Sequence, residues 1–115
     1  MAGQYDITID QGATWTLALT YKDGEGAVVD LSGYTAKMQI RPFARSSKVI
    51  LERSTEAETI VLGGAAGTVS VTATAAETGA LKPGVGVYDL ELYSPIATTI
   101  RLLQGDVTIS AGVTR

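Results

Sequence analysis

The chain has 115 residues, a formal net charge of −3, and neither cysteine nor histidine. Those absences exclude disulfides, thiolate metal sites and cysteine nucleophiles, and they remove the commonest general base and metal ligand. Hydrophobic residues at 45% against 18% charged place the chain with globular domains rather than disordered ones, and the acidic balance weighs against nucleic acid as the main partner.

The length predicts one domain over residues 1–115, and folding at this size buries roughly 65% of the surface of the unfolded chain. No apolar run approaches the ~18 residues of a bilayer span. The N-terminus, Met1 to Asp6, lacks the basic region and apolar core of a secretory leader, so synthesis and folding in a cytoplasm are expected. Residues 1–6 and 110–115 are expected to be extended arms.

Ile7 to Ile9 predicts a short strand, with Asp10, Gln11 and Gly12 as a bend. In Trp15 to Tyr21 the residues Trp15, Leu17, Leu19 and Tyr21 alternate with Thr16, Ala18 and Thr20. That period of two gives a strand one buried and one wet face. Lys22 to Gly26 supplies a reversal rich in residues that reach positive φ, and Ala27 to Leu31 reads as a brief strand or arm. After a turn at Ser32 and Gly33, Tyr34 to Arg41 alternates again until Pro42, which cannot donate a ladder hydrogen bond.

Phe43 to Lys48 is a polar loop, and Val49 to Arg53 and Ile60 to Leu62 are short strands. Gly63 to Gly67 is a turn, and Thr68 to Ala73 alternates. Thr74 and Glu77 have the spacing of a capping box, which predicts a short helical turn near residues 75–81 before Pro83. Val87 to Tyr93 and Ile100 to Ile109 close the domain. Seven or eight strands at about ten-residue spacing, joined by glycine turns, define an all-β antiparallel sandwich. Immunoglobulin-type sandwiches often place a tyrosine at the position of Tyr88 whose hydroxyl bonds backbone a few residues upstream; Tyr88 is either such a corner or an ordinary amphipathic tyrosine at the sandwich rim.

Asp89 and Glu91 share a strand face at a spacing that paired catalytic carboxylates use. The same geometry describes a solvated face with Arg101 as cross-strand partner, which is the expected reading. Asp23, Glu25 and Asp30 on glycine-rich turns offer hard oxygen ligands of the kind calcium takes, or simply cap the turns. Arg41, Arg45, Lys48 and Arg53 gather around Phe43, as in a single-strand nucleic-acid groove or a salt-bridged protein surface, the latter expected. Trp15 belongs to the core. No nucleophile elbow, phosphate cradle, catalytic residue, cofactor site or metal site is expected, and the chain is not expected to be an enzyme.

Several phrases occur in order along nearly the whole chain. They are Ile7 to Trp15 (ITIDQGATW), Tyr21 to Gly24 (YKDG), Asp30 to Arg41 (DLSGYTAKMQIR), Thr74 to Thr78 (TAAET), Val87 to Leu92 (VYDLEL) and Arg101 to Ile109 (RLLQGDVTI). Together they resemble small tailed-bacteriophage structural proteins and, more distantly, the N-terminal domain of phage baseplate upper proteins.

The resemblance implies an immunoglobulin-like antiparallel β-sandwich and a non-enzymatic assembly or adaptor role in the tail or baseplate. It also implies location in the virion after synthesis in the bacterial cytoplasm. Its expected partners are other phage structural proteins and further copies of the chain, without nucleic acid or membrane. The baseplate proteins continue into further domains where this chain stops at Arg115, which favours an adaptor, collar or decorating subunit. The alternatives are a capsid head-decoration protein and a carbohydrate-binding host-adhesion module using Tyr5, Tyr34 and Tyr93. Open sheet edges and the arms would pair with neighbouring subunits by strand addition.

Overall fold

Alternating burial turns the period-two segments into strands. The computed structural model describes residues 3–113. Its strands are β1 (Gly3–Gln4), β2 (Ile7–Asp10), β3 (Trp15–Thr20), β4 (Thr35–Arg41), β5 (Leu51–Ser54), β6 (Ile60–Leu62), β7 (Thr68–Ala73), β8 (Gly84–Tyr93) and β9 (Thr99–Ser110). A 3-10 turn covers Gly64–Ala66, and helix α1 covers Ala75–Gly79. No helix among the described residues is long and apolar enough to cross a membrane.

The larger sheet has the order β1-β9-β8-β4-β5, with β2 following β1 along the same edge of β9. The smaller is β3-β7-β6. Apart from β1 and β2, which run parallel to β9, the pairings are antiparallel. Register places Met38 opposite Leu90 and Ile40 opposite Tyr88 in the larger sheet, and Leu17 opposite Val71 in the smaller. Ile9, Met38, Ile40, Leu90, Leu92 and Val107 therefore face Ile60, Val69 and Val71 across a single core. Two sheets packed this way, with one short helix, form an immunoglobulin-like β-sandwich: the sandwich is what the alternation implied, and its immunoglobulin-like outline is what the resemblance implied.

Local chemistry explains the boundaries. Pro42 ends β4 at Arg41, as expected. The Thr74 hydroxyl accepts from the Glu77 N–H at 3.2 Å, and the Glu77 carboxylate accepts from the Thr74 N–H at 3.0 Å, completing the capping box. The buried Thr78 hydroxyl donates to the Ala13 carbonyl at 2.8 Å and accepts from the Gly12 N–H at 3.1 Å, which ties α1 to the β2–β3 bend.

Several expectations need correction. Ala27 to Leu31 is not a strand: it makes only an isolated bridge, Lys22 to Val28, and Asp23 folds the loop on itself by accepting the Glu25 and Ala27 N–H groups. Leu31 instead drops into the core at 1% exposure. Strand β8 starts three residues before Val87, because Gly86 lies against the Arg41 carbonyl, where a Cβ would stand 2.6 Å from the oxygen. Finally, the described part of the N-terminal arm is a strand of this chain's own sheet: Gly3 and Gln4 pair with Leu103 and Gln104 of β9. Met1, Ala2, Thr114 and Arg115 lie outside the described residues.

Tyr88 holds that arm. Its hydroxyl donates to the Tyr5 carbonyl at 2.6 Å, so it bonds main chain, but 83 residues upstream rather than a few. The cause is Gly105, directly opposite Tyr88 on β9, which has no side chain to separate the phenol from the arm beyond it. Burial, followed by the nearby Tyr5 and Asp6, pushes the Tyr88 hydroxyl up to about 12. At the same point the Asp6 carboxylate accepts the Asp106 N–H at 3.0 Å, which interrupts the ladder between β1 and β2.

Candidate functional site

The outward residues of β4, β8 and β9 form a polar face around an open depression of ≈ 470 Å³. Arg101 pairs with Asp89 at 3.4 Å and reaches Gln104 at 3.4 Å. Gln39 donates to Glu52 at 2.6 Å and accepts from Arg41 at 2.7 Å, and Arg41 also donates to the Ser46 carbonyl. The Tyr93 hydroxyl donates to Glu91 at 3.2 Å. Arg101 reaches this face because of a bulge: Leu90 opposes Leu103 but Glu91 opposes Arg101, leaving Leu102 without a partner.

Burial, then repulsion from Glu91, raises the Asp89 carboxyl, while Arg101 and Arg41 oppose the rise. Burial and Glu91 raise the Tyr93 hydroxyl as well. The arrangement is a neutralised strand face with Arg101 as the partner, as the alternation implies.

The other candidates do not converge. Asp30 accepts the Ser32 N–H at 2.9 Å, and the hydrogen bonds with Ser32 hold its carboxyl below the usual range. With Asp23 turned onto Glu25 and Ala27, these carboxylates cap turns, and among the described residues no group of three potential ligands could hold a metal ion. The basic group around Phe43 is split. Arg41 lies on the outer polar face, Arg45 and Lys48 are exposed beside Phe43, and Arg53 points inward to Glu77 at 2.8 Å. Tyr34 packs on the core, Tyr93 bonds Glu91, and Tyr5 sits at the β1 edge, so they form no shared sugar platform. Trp15 packs against the core, in line with its alternation.

Sequence reasoning missed the lateral side of the sandwich between β3 and β9. An open groove of ≈ 570 Å³ lies there, lined by Leu17, Leu19 and Tyr21 on one side and by Leu102, Leu103 and the Gly3–Tyr5 segment on the other. Among the described residues strand β3 pairs only with β7, so its far edge has no strand partner there. Tyr21 donates its N–H to the Gly67 carbonyl, toward β7. By antiparallel alternation, the N–H and C=O groups of Thr16, Ala18 and Thr20 therefore point away, into the open side. The available signal was the wet face of β3, which carries only Thr and Ala and no charge.

The described residues form an immunoglobulin-like sandwich with a polar outer face that carries the Asp89–Arg101 pair and an open groove beside β3. No family model matches the sequence, and a search of curated proteins finds no match. Among solved structures, the extracellular domain of the voltage-gated sodium channel β4 subunit is similar with a TM-score of 0.53 and 10% identity. The match covers 98% of this chain and 96% of that one. That structure is described as a parallel homodimer that explains a role in cell–cell adhesion. A second structure, from work on cell-adhesive interactions of sodium-channel β subunits, has a TM-score of 0.47 at 10% identity and covers 95% of this chain and 92% of that one.

The expected phage membership is thereby corrected. The solved structure that shares this fold at a TM-score of 0.53 is an extracellular sodium-channel subunit domain and not a phage protein, so the likeness gives the phage assignment no support. The tail, baseplate and head-decoration roles, the host-adhesion role, phage structural partners and the virion location fall with it. The physical reason lies in the quoted phrases. They map onto β2 and the start of β3, the turn after β3, the turn before β4, β4 itself, the cap of α1, β8 and β9. They encode strand alternation and turns that any sandwich of this outline requires, and such geometry is shared across unrelated roles.

Proposed function

We propose that this chain is a non-catalytic interaction module that associates with further copies of itself, residues 1–115 acting as one immunoglobulin-like unit. The observation that carries this reading is the groove beside β3. Leu19, Tyr21, Leu102 and Leu103 sit at the margin of the core and are only partly covered. Covering such surface is favourable by about 25 cal/mol per Å² of apolar area.

The polar groups support the same reading. Gln39 with Glu52, Asp89 with Arg101 and Arg53 with Glu77 are committed to one another, which leaves little to activate a substrate. The β4-subunit domain, described as a homodimer in cell–cell adhesion, is a precedent for self-association in a sandwich of similar outline. Sedimentation velocity of the purified chain, from micromolar to millimolar concentration, tests it. The expected result is a concentration-dependent shift from monomer to dimer. A strictly monomeric boundary across that range overturns the reading.

A further inference from the structure

Resting on that self-association, we propose that the second copy docks by adding its own β3 antiparallel to the free edge of β3, in a register centred on Ala18. The edges of this sandwich are not equivalent. Exposed edges invite strand addition, and proteins blunt them with charges, breaks, short strands and inward-pointing ionic residues. The β1–β2 edge is interrupted at Tyr5 and Asp6 and carries Asp6 and Asp10. The β5 edge spans four residues, displays Glu52 and turns Arg53 inward. The β6 edge is three residues long. Among the described edges only β3 presents six residues in a row, Trp15–Thr20, without a charge or a proline, paired to β7 without a break in register.

Self-complementarity selects the occupant. Centred on Ala18, the register sets Thr16 opposite Thr20, Leu17 opposite Leu19 and Trp15 opposite Tyr21 of the other copy. Thr–Thr and aromatic pairs are favourable across a ladder. The groups of Thr16, Ala18 and Thr20 that point away from β7 become the new hydrogen bonds. Leu17 and Leu19 of both copies form one continuous strip above Leu102 and Leu103 in the groove. Each partner uses the same patch, as a closed two-fold interface requires. The chain carries a net charge of −3, so copies repel over most of their surface. An uncharged edge lets them meet without opposing like charges.

The test uses the full chain with Ala18→Lys and Ala18→Glu. Position 18 is exposed on β3, so either variant keeps the fold, which thermal melting by circular dichroism verifies. In the proposed register each variant sets two like charges directly opposite, and the dimer dissociation constant rises about tenfold or more. Mixing the two variants sets Lys against Glu and restores dimer in sedimentation velocity. A dimer unaffected by either single variant, or a mixture that stays monomeric, overturns the β3 register while self-association stands. A wild-type chain that is monomeric throughout overturns both.

Discussion

Arg53 and Glu77 meet at 2.8 Å where the edge of the larger sheet approaches α1, and this contact ties the two sheets together. Arg53 lies on β5 but points inward. Its guanidinium also donates to the Thr72 carbonyl of β7 at 3.2 Å, so one side chain joins β5, β7 and the helix. Glu77 in turn closes the capping box with Thr74. An inward charge on an edge strand thus fastens the sandwich and guards its edge at once.

Acid stability follows from this pair. The Arg53 hydrogen bond, and then the Thr74 N–H, bring the Glu77 carboxyl down to about 2. Its unfolded-state value is ordinary, about 4.3. The unfolded chain therefore binds more protons between those values. The contribution of Glu77 is fully present above about pH 4.3 and is lost as pH falls through about 2. The Glu77 side chain is 38% exposed, which limits the amount to about 1 kcal/mol. Thermal melts from neutral pH to about pH 2 should show a steeper acid limb for wild type than for Glu77→Gln, which retains a capping acceptor. Parallel curves would reject this role.

Tyr88→Phe removes the donor to Tyr5 while leaving the ring over Gly105. The expected cost is about 1 kcal/mol, that of one hydrogen bond. The more telling readout is local. Amide exchange in residues 4–7 should accelerate while β4 and β8 keep their protection. Gly105→Ala makes the same point from the other side, since its Cβ would overlap the Tyr5 carbonyl and push the arm from β9. Equal protection of the arm in both variants would show that Tyr88 does not hold it.

Leu31 tests the loop that stands where a brief strand or arm was expected. The side chain is 1% exposed, and its N–H donates to the Gly64 carbonyl at 2.9 Å. Leu31→Ala should therefore cost as much as a truncation within β8, about 2–5 kcal/mol by denaturant unfolding. A loss below about 1 kcal/mol would mean that the surrounding loops close over the cavity without strain.

The strands were legible because their physics is local. Met38, Ile40, Leu90 and Leu92 alternate with polar residues, and Thr74 and Glu77 carry their cap in their spacing. Gly3 and Gln4 have no such pattern: their pairing with β9 depends on the Tyr88 hydroxyl and on Gly105, far away in sequence. Ala27 to Leu31 read as a brief strand or arm because one buried leucine in a turn-rich segment looks the same as the end of a short strand. Arg53 read as surface charge because its partner Glu77 lies 24 residues on, across the fold. The groove was invisible for a related reason. Leu19 and Leu102 become neighbours only once the two sheets are stacked with β3 left at an edge.

Asp89 makes the opposite electrostatic prediction to Glu77. Burial and Glu91 raise its carboxyl in the folded state, so the folded chain binds this proton more tightly than the unfolded one. Ionising Asp89 therefore costs stability, and the cost appears as pH rises through the unfolded value, about 3.9, toward the folded one. The Arg101 contact, at 3.4 Å between half-exposed side chains, offsets only part of it. Asp89→Asn should consequently be neutral or stabilising at pH 7, by less than about 1 kcal/mol, and its advantage should vanish below the unfolded value. Urea unfolding at pH 7 and pH 3 measures both. A variant clearly less stable than wild type at pH 7 would show that the Asp89–Arg101 pair outweighs the burial of the carboxylate.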